Sequence, residues 1–258
     1  MAGSNLKIDI RRSQIMNMLR QQGRVSVAAL SEFFGTTTVT IRNDLSALER
    51  EGHLIRNQGG AVLVPQQTSS TDITNFGDIK NAAEKQQIAA AMAKKIRDGD
   101  TLFINSGTTT LMVAQALKER SNLNIVTNSL AAAKLLGQIP TFRVLLLGGE
   151  INAQYDFTCG GDALNQLSKF KADWAILSVD GISARSGLTT HHAEEAVIDR
   201  VMIAEARNTW VVADHTKIGR AGFARISTEL SGMGLITGGA DAQALEELKQ
   251  CGVDVVCV

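Results

Sequence analysis

The sequence predicts an α/β fold in two parts: a small N-terminal domain of three helices and a hairpin, then a doubly wound, mostly parallel sheet. Two different patterns of apolar residues support this prediction. From residue 11 to 50 the apolar residues recur at helical spacing. From about residue 80, apolar strands alternate with helical stretches, which is typical of a parallel sheet covered by helices. The predicted domains are residues 8–64 and 80–258, joined by a polar linker over 65–79.

The N-terminal domain is predicted to be a winged helix-turn-helix. Gly23 and Gly35 separate three helical stretches, and the turn before the third helix is only about three residues long. Gly52 is expected to end that helix as a C′ glycine. Two strands at 53–56 and 61–64 then form a hairpin, which would be the wing.

The second domain is predicted to contain seven strands and six helices. The strands are Leu102–Asn105, Leu123–Thr127, Arg143–Leu147, Trp174–Val179, Thr209–Ala213, Gly234–Thr237 and Val253–Cys257. The helices cover 82–97, 108–119, 129–137, 162–169, 193–207 and 241–250. Doubly wound sheets bind their ligands at the carboxyl ends of the strands.

Composition points to a cytoplasmic globular protein. Apolar residues make up 44% of the 258 residues and charged residues 20%. No apolar run approaches the roughly 20 residues that cross a bilayer, and the N-terminus has no apolar secretion signal. The three cysteines lack a CxxC spacing, so core thiols are expected rather than a metal or redox site. Net charge is zero, but residues 1–64 carry +3, which weakly favours an N-terminal domain that binds phosphate groups.

The third N-terminal helix is predicted to contact DNA, with Thr37 capping its start. If Ile41, Leu45 and Leu48 face the core, a rotation of about 100° per residue places outward Val39, Thr40, Asn43, Ser46 and Ala47. Arg42 lies on the flank. Threonine and asparagine suit base edges, arginine suits guanine or phosphate, and valine suits a thymine methyl group. The predicted DNA contacts are Thr37, Thr38, Val39, Thr40, Arg42, Asn43, Ser46 and, in the wing, Arg56.

Three alternatives remain open for this domain. In the first alternative, the domain is a small helical bundle that binds protein, with Arg42 paired to a nearby acid. The whole chain would then be an adaptor without a role at DNA. Arg56 alone would be a solvated surface arginine.

A loop of small hydroxyl residues follows the first strand of the second domain and opens a helix. Hydroxyls and free amides at a helix N-terminus form an anion site, sized here for one phosphate group. The absence of GxGxxG argues against a pyrophosphate ligand. The alternative is a helix cap with spare hydroxyls and no ligand. The loop residues are Ser106, Gly107, Thr108, Thr109 and Thr110, and candidates at other strand ends are Asn128, Ser129, Gly149, Glu150 and Asp180.

The motifs of both domains occur together in one known family. In the first domain they are Arg11-Arg12-x-x-Ile15, Gly23-x-Val25-x-Val27-x-x-Leu30, Gly35-Thr36-Thr37-x-Val39-Thr40-Ile41-Arg42-x-Asp44-Leu45-x-x-Leu48-Glu49 and Arg56-x-x-Gly59-Gly60-Ala61. In the second they are Ser106 to Thr110, Thr127-Asn128, Gly148-Gly149, Gly160, Asp180-Gly181, Gly187-x-Thr189-Thr190 and Asp214-x-x-Lys217-x-Gly219-Arg220. The chain resembles, over almost its whole length, the DeoR/GlpR family of bacterial transcriptional regulators of sugar metabolism.

This resemblance implies a repressor that binds a double-stranded DNA operator. It also implies a phosphorylated sugar as effector, with Ser106 to Thr110 on the phosphate and Lys217 adding positive charge. The second domain is similar in fold to ribose-5-phosphate isomerases and glucosamine-6-phosphate deaminases. Helix-turn-helix proteins usually bind paired half-sites, so a homo-oligomer, dimer or tetramer, is expected. No cofactor is expected.

The chain departs from the family at five places. Asn43 stands where a second arginine is usual, and Thr36-Thr37 where Val-Ser is usual. In the second domain Asn105 replaces Asp, His192 replaces Asn and His215 replaces Ser. These departures bear on base preference and on the polyol end of the effector.

The alternative function is an isomerase or deaminase. Enolisation of a sugar phosphate needs a general base, for which the candidates are Asp180, Glu194, Glu195 and His191. The lysine that isomerases place after Asp-Gly has no counterpart here, and Arg185 is too weak an acid. The adjacent pair His191-His192 is not expected to bind metal, because neighbouring residues point apart. Lys217 would alternatively be a surface lysine beside Asp214.

Overall fold

The computed structural model describes residues 11–258, except for 13, 17, 20, 21, 51–53, 58, 64–78 and 154. The chain divides into two compact units, Met1–Asp72 and Ile73–Val258. The predicted linker lies outside the described residues except for Ile79. Within the part of the chain that is described, no helix is long and apolar enough to span a membrane.

The first unit contains the three predicted helices and a small antiparallel sheet. The helices are α1, helical at each described residue from 11 to 22, α2 (Val27–Phe33) and α3 (Thr38–Arg50). The sheet has the order β1-β3-β2, with strands β1 (Arg24–Ser26), β2 (Leu54–Asn57) and β3 (Gly60–Leu63). The helices pack on the sheet through a core that includes Ile15, Leu19, Leu30, Ile41, Leu45 and Leu54. The winged helix-turn-helix prediction is confirmed.

Two details of this unit differ from the sequence prediction. Strand β1 was not predicted, because three residues between Gly23 and a helix are too few to show a strand period. It pairs with β3, and a side chain at Gly60 would overlap the backbone of Val25. The wing turn is shorter than predicted, since Asn57 already pairs with Gly60. Gly52 and His53 lie outside the described residues.

The second unit is built on a seven-stranded parallel sheet, as predicted. Its strands are β4 (Thr101–Ile104), β5 (Asn124–Thr127), β6 (Arg143–Leu146), β9 (Ala172–Leu177), β12 (Ala206–Val212), β14 (Gly234–Thr237) and β15 (Asp254–Cys257). The helices are α4 (Ala82–Lys95), α5 (Thr108–Ala116), α6 (Leu130–Leu136), α7 (Gly161–Leu167), α8 (Ala193–Ala204) and α9 (Ala242–Gln250).

The strand order, β15-β14-β12-β9-β4-β5-β6, fixes where a ligand is expected. The chain runs outward from β4 to β6, returns to β9 beside β4, and then runs the other way. The topological switch point therefore lies between the carboxyl ends of β4 and β9, the usual ligand position in open α/β sheets.

Five short antiparallel strands were not predicted. They are the hairpin β7 (Glu150–Asn152) and β8 (Phe157–Cys159), and the sheet of β10 (Gly181–Ser183), β11 (Gly187–Thr190) and β13 (Ala224–Ser227). Strands of three or four residues are too short to display a period of two.

The helices of this unit are shorter than predicted by one to three residues, and two differ by three. The helix predicted over 193–207 ends at Ala204, because Ala206 already pairs with Ala172 of β9. The stretch predicted over 108–119 is α5 followed by a 3-10 turn, Leu117–Glu119.

Candidate functional site

The outward face of α3 carries most of the residues predicted to contact DNA. Thr38, Arg42 and Asn43 are exposed, and Val39 is 61% exposed. Arg42 forms no ion pair within the described residues. Among the described residues, this face therefore presents the guanidinium of Arg42 without an ion pair, beside the amide of Asn43 and the methyl groups of Val39.

Thr37 caps α3, as predicted. Its Oγ1 accepts a hydrogen bond from the Thr40 amide at 3.2 Å and lies 2.9 Å from the Thr40 hydroxyl. The prediction that Ala47 faces outward was wrong, because Ala47 is buried. The buried stripe of α3 is wider than the three leucine and isoleucine positions suggest, since Asp44, three residues earlier, also faces inward.

Ser46 links α3 to the wing. Its hydroxyl donates to the carbonyl of Arg42 at 2.7 Å and accepts from Nη1 of Arg56 at 2.6 Å. The Arg56 amide also donates to Oε1 of Glu49 at 3.0 Å. The wing arginine is exposed but is hydrogen-bonded to α3.

Asp44 holds α1 against α3. Its buried carboxylate pairs with Arg11 at 2.6 Å and Arg12 at 3.1 Å. Two basic residues of the first domain are therefore bound internally. A buried carboxylate left without these partners would be strongly destabilising.

The loop Ser106 to Thr110 follows β4 and opens α5, where the switch point of the sheet lies. Gly107 has φ 155°, and a side chain there would overlap the hydroxyl of Ser178. The helix has no side-chain cap at Gly107, so its first amides remain available for an anion. The buried Thr110 hydroxyl donates to the carbonyls of Asn105 and Gly107, both at 3.0 Å, and its proton is used within the loop. Thr109 is buried and Thr108 exposed.

Lys85 contacts this loop, and the sequence analysis did not identify it. Its Nζ donates to Oγ1 of Thr108 at 3.0 Å and lies 3.5 Å from Oδ2 of Asp214. Burial lowers the pKa of Lys85, while the charge of Asp214 opposes that shift. The signal was present in the sequence: Lys85 lies on the same face of α4 as the buried Ile88, Ala89 and Met92. A lysine in an apolar stripe needs a specific partner.

Lys217 pairs with Asp180 rather than with Asp214. Its Nζ lies 3.1 Å from Oδ1 of Asp180, whose Oδ2 accepts from the Thr190 hydroxyl at 3.1 Å and the His191 amide at 2.9 Å. Burial alone would raise the pKa of Asp180, but His191, Lys217 and these hydrogen bonds hold it below its ordinary value. Both lysines near the loop are thus neutralised by carboxylates.

Two buried acids of α8 lie behind this group. Glu195 accepts from the Thr190 hydroxyl at 2.6 Å, and Asp199 accepts from Nδ2 of Asn105 at 3.1 Å. Burial raises the pKa of Glu195 to about 7, and burial with the neighbouring Glu195 raises that of Asp199 well above its usual value. Asn105 also donates from Nδ2 to the Ser178 carbonyl and accepts at Oδ1 from the Ser178 amide, both at 2.9 Å. It thereby joins the ends of β4 and β9.

The other predicted effector residues lie at the ends of β5 and β6. Ser129 is buried and caps α6 by accepting from the Ala132 amide at 3.2 Å. Asn128 donates to the Thr158 carbonyl at 3.3 Å, and its buried Oδ1 has no partner among the described residues. Gly149 has φ 149°, and Glu150 begins β7 as an exposed residue.

The hairpin of β7 and β8 contacts the loop Ser106 to Thr110, called the anion loop below. The Ser106 hydroxyl donates to the carbonyl of Tyr155 at 3.2 Å. The ring of Tyr155 lies 4.2 Å from that of His192, centroid to centroid. The family departure His192 therefore contacts the residue whose carbonyl accepts from Ser106, which the sequence did not indicate.

One group within the described residues has the donor types of a metal site: Glu84, Asp214 and His215. Its ligand atoms are already in use. Glu84 accepts from both the amide and Nδ1 of His215, each at 2.7 Å, and the Lys85 ammonium faces Asp214. The predicted pair His191-His192 is not part of this group.

Two family models match the chain. Residues 80–238 match the DeoR C-terminal sensor domain, and residues 11–67 match the DeoR-like helix-turn-helix domain. The first match alone covers more than half of the chain. The chain belongs to the DeoR family, whose members are DNA-binding transcriptional regulators and not enzymes.

Curated relatives agree with this assignment. The chain is 34% identical to a putative aga operon transcriptional repressor of Escherichia coli O157:H7, over 96% of this chain and 93% of the relative. It is 38% identical to the glycerol-3-phosphate regulon repressor of Escherichia coli K12, over 81% of this chain and 82% of the relative. Among solved structures, ribose 5-phosphate isomerase A from Methanocaldococcus jannaschii overlaps 54% of this chain and 55% of its own, at 15% identity and a TM-score of 0.40.

The family assignment decides between the functions left open by the sequence. The protein is a DNA-binding regulator, so the adaptor and the isomerase or deaminase are set aside. Of the four residues considered as a catalytic base, Asp180 and Glu195 are committed to hydrogen bonds around Thr190.

Proposed function

We propose that this protein is a cytoplasmic repressor of a carbohydrate-utilisation operon. It binds its operator as a homo-oligomer through α3 and the wing, and a phosphorylated sugar bound in the second domain controls that binding. The phosphate lies at the N-terminus of α5, against Ser106, Gly107, Thr108, Thr109 and Thr110.

The observation that carries this proposal is the position of Lys85. Two features lie together at this loop: a helix N-terminus without a side-chain cap and a buried ammonium 3.0 Å from Thr108. Lysine beside backbone amides at a helix N-terminus is suited to a phosphate group. Lys217 is a second cation nearby, once it is released from Asp180.

The polyol end of the effector is proposed to face Asn128, Ser129, Gly149, Glu150 and Asp180. The unpartnered Oδ1 of Asn128 supports this, because a buried carbonyl oxygen without a donor favours a ligand hydroxyl. The names of the relatives, an aga operon repressor and a glycerol-3-phosphate regulon repressor, are consistent with a small phosphorylated polyol or sugar.

The DNA-binding half of the proposal rests on α3. Thr37, Thr38, Val39, Thr40, Arg42 and Asn43 are proposed to enter the major groove, while Arg56, held by Ser46, contacts a phosphate. Dimers of helix-turn-helix heads bind half-sites about one helical turn apart, which is why a homo-oligomer is proposed.

Thermal unfolding with matched pairs of ligands tests the effector. Glycerol 3-phosphate, fructose 6-phosphate and galactosamine 6-phosphate are each compared with the unphosphorylated compound. A ligand that binds the native state at about 100 times its Kd stabilises it by about 2.7 kcal/mol. The proposal expects at least one phosphorylated member to raise the melting temperature while its unphosphorylated partner does not. Equal shifts within every pair would contradict a phosphate site.

A further inference from the structure

The residue that precedes α4 is tied to Asp214, the carboxylate that also faces Lys85. Asn81 precedes α4 with φ 59°, a left-handed conformation that non-glycine residues seldom adopt. Its Nδ2 donates to Oδ1 of Asp214 at 3.1 Å, across 133 residues of sequence. The covalent connection from the DNA-binding unit enters α4 at this residue, a few positions after segment 64–78.

Asp214 joins Asn81 to Lys85. Its carboxylate is buried; Oδ1 accepts from Asn81 and from the amide and hydroxyl of Thr216, at 3.0 and 2.5 Å. The other oxygen, Oδ2, faces the Lys85 ammonium at 3.5 Å. One carboxylate thus holds the entrance of α4 with one oxygen and the cation of the anion site with the other.

Lys85 and Asn81 are also one helical turn apart. The Lys85 amide donates to the Asn81 carbonyl at 3.0 Å, a backbone hydrogen bond of the first turn of α4. The Lys85 side chain meanwhile reaches Thr108 of the anion loop. A rearrangement of the Lys85 side chain therefore originates in the first turn of α4, the turn that follows Asn81.

We propose that Asn81 and Asp214 transmit effector binding to the connection that leads to the DNA-binding unit. This inference rests on the proposed function, because it requires a phosphate at the anion loop. An effector changes DNA binding only if it favours one of two states through different contacts in each. The differing contact is that of the Lys85 ammonium, which lies 3.0 Å from Thr108 and 3.5 Å from Asp214 in this structure and exchanges Asp214 for the phosphate when effector binds.

Competition for Lys85 gives the physical cause. A phosphate group carries more negative charge than a carboxylate, so it competes with Asp214 for the ammonium, which already donates to Thr108. Asp214, still buried, then loses its charge partner and depends on Asn81 and Thr216 alone. Burial by itself would raise the pKa of Asp214, and it is held low by Thr216, Lys85 and Asn81. We expect the hydrogen bond from Asn81 to Asp214 to differ between the free and the bound state, and with it the start of α4.

The variant that tests this is Asn81→Gly. Glycine keeps the left-handed backbone without strain and removes only the side-chain amide. Asn122→Gly is a matched control, because Asn122 has the same φ of 59° but is exposed and lies elsewhere, ahead of β5. Lys85→Met reports whether phosphate binds at the proposed site.

The first measurement is amide hydrogen exchange over residues 79–86, with and without saturating inorganic phosphate. The second is affinity for a duplex that the protein selects from a random-sequence library, with and without glycerol 3-phosphate and galactosamine 6-phosphate. In wild type and Asn122→Gly, phosphate changes exchange in this segment and a sugar phosphate changes duplex affinity by about 5- to 150-fold, the usual range of allosteric coupling. In Asn81→Gly phosphate still binds, but both responses fall to less than half of wild type.

Two results would overturn the inference, and they differ in what else they remove. If phosphate stabilises the wild type and both responses are as large in Asn81→Gly, the coupling through Asn81 is wrong and the proposed function stands. If neither inorganic phosphate nor a sugar phosphate stabilises the wild type, or if the stabilisation persists in Lys85→Met, the proposed phosphate site fails and the inference fails with it.

Discussion

The ammonium of Lys85 donates a hydrogen bond to the hydroxyl of Thr108, with 3.0 Å between the two atoms. The contact joins α4 to the first residue of α5, at the switch point of the parallel sheet. A buried cation beside free helix amides is an arrangement that anions complete.

Replacing Lys85 should remove effector binding without removing the fold. Lys85→Met keeps the length and apolar stem of the side chain but not its charge. The melting temperature should then no longer rise with the sugar phosphates that stabilise the wild type, while the ligand-free protein stays folded. Lys94→Gln, on the exposed side of the same helix, should respond like wild type. An undiminished shift in Lys85→Met would rule out this lysine as a phosphate ligand.

Gly107→Ala should damage the loop itself. A left-handed or otherwise glycine-only backbone costs about 1–3 kcal/mol for other residues, and here the added methyl also overlaps the Ser178 hydroxyl. Urea unfolding should show a loss of that order, accompanied by loss of the effector-induced shift. Gly161→Ala at the start of α7, where a methyl group meets open space, should change stability by less than about 0.5 kcal/mol. Equal stability of the two variants would contradict the assigned strain.

Stability should depend on pH through Glu195. Its pKa is about 7 in the folded protein against an ordinary 4.5. Because the folded state binds this proton more tightly, the contribution is complete below about pH 4.5 and is lost as pH rises through about 7. Glu195→Gln resembles the protonated acid. It should match wild type near pH 5 and exceed its free energy of unfolding near pH 8, by on the order of 1–3 kcal/mol.

Urea titrations at both pH values measure this difference. The control is Glu194→Gln, the exposed neighbour on the same helix, which should follow the wild-type profile. A constant difference between Glu195→Gln and wild type from about pH 5 to about pH 8 would show that Glu195 does not titrate in this range.

Asn43 and Arg56 should affect DNA binding in different ways. Asn43→Ala should reduce the preference for the selected duplex over a random one by roughly 10-fold, since a lost base contact costs about 1–3 kcal/mol. Arg56→Ala should weaken both duplexes alike and lower the salt slope by about 1, as expected of a phosphate contact. Fluorescence anisotropy at several salt concentrations distinguishes them. A uniform loss for Asn43→Ala, or a selective loss for Arg56→Ala, would reverse the assigned roles.

The fold was largely predictable because long periodic segments encode it. The helical spacing of Ile41, Leu45 and Leu48 placed α3 correctly, and the alternation of strands and helices predicted the parallel sheet. The predictions failed for very short strands and for the width of the buried face of α3. The three-residue strands β1, β7 and β8 carry no period, and the buried stripe of α3 extends to Ala47 through Asp44, a charged residue that pattern analysis places outside.

The position of the loop Ser106 to Thr110 was predictable, but the lysine beside it was not. Lys217 was chosen from the family motif, yet it pairs with Asp180. Lys85 lies on a helix with no motif, and only the tertiary packing of α4 against α5 brings it to Thr108. Similarly, the contact between Asn105 and Asp199 joins residues 94 positions apart, so no local spacing indicates it.

A phosphorylated sugar at this loop is proposed to control DNA binding. Affinity for the selected duplex is measured while the sugar phosphate that gives the largest thermal shift is titrated. The affinity should change at least about fivefold in wild type and not in Lys85→Met. Duplex affinity that stays constant while the same sugar phosphate stabilises the wild-type protein would contradict this proposal.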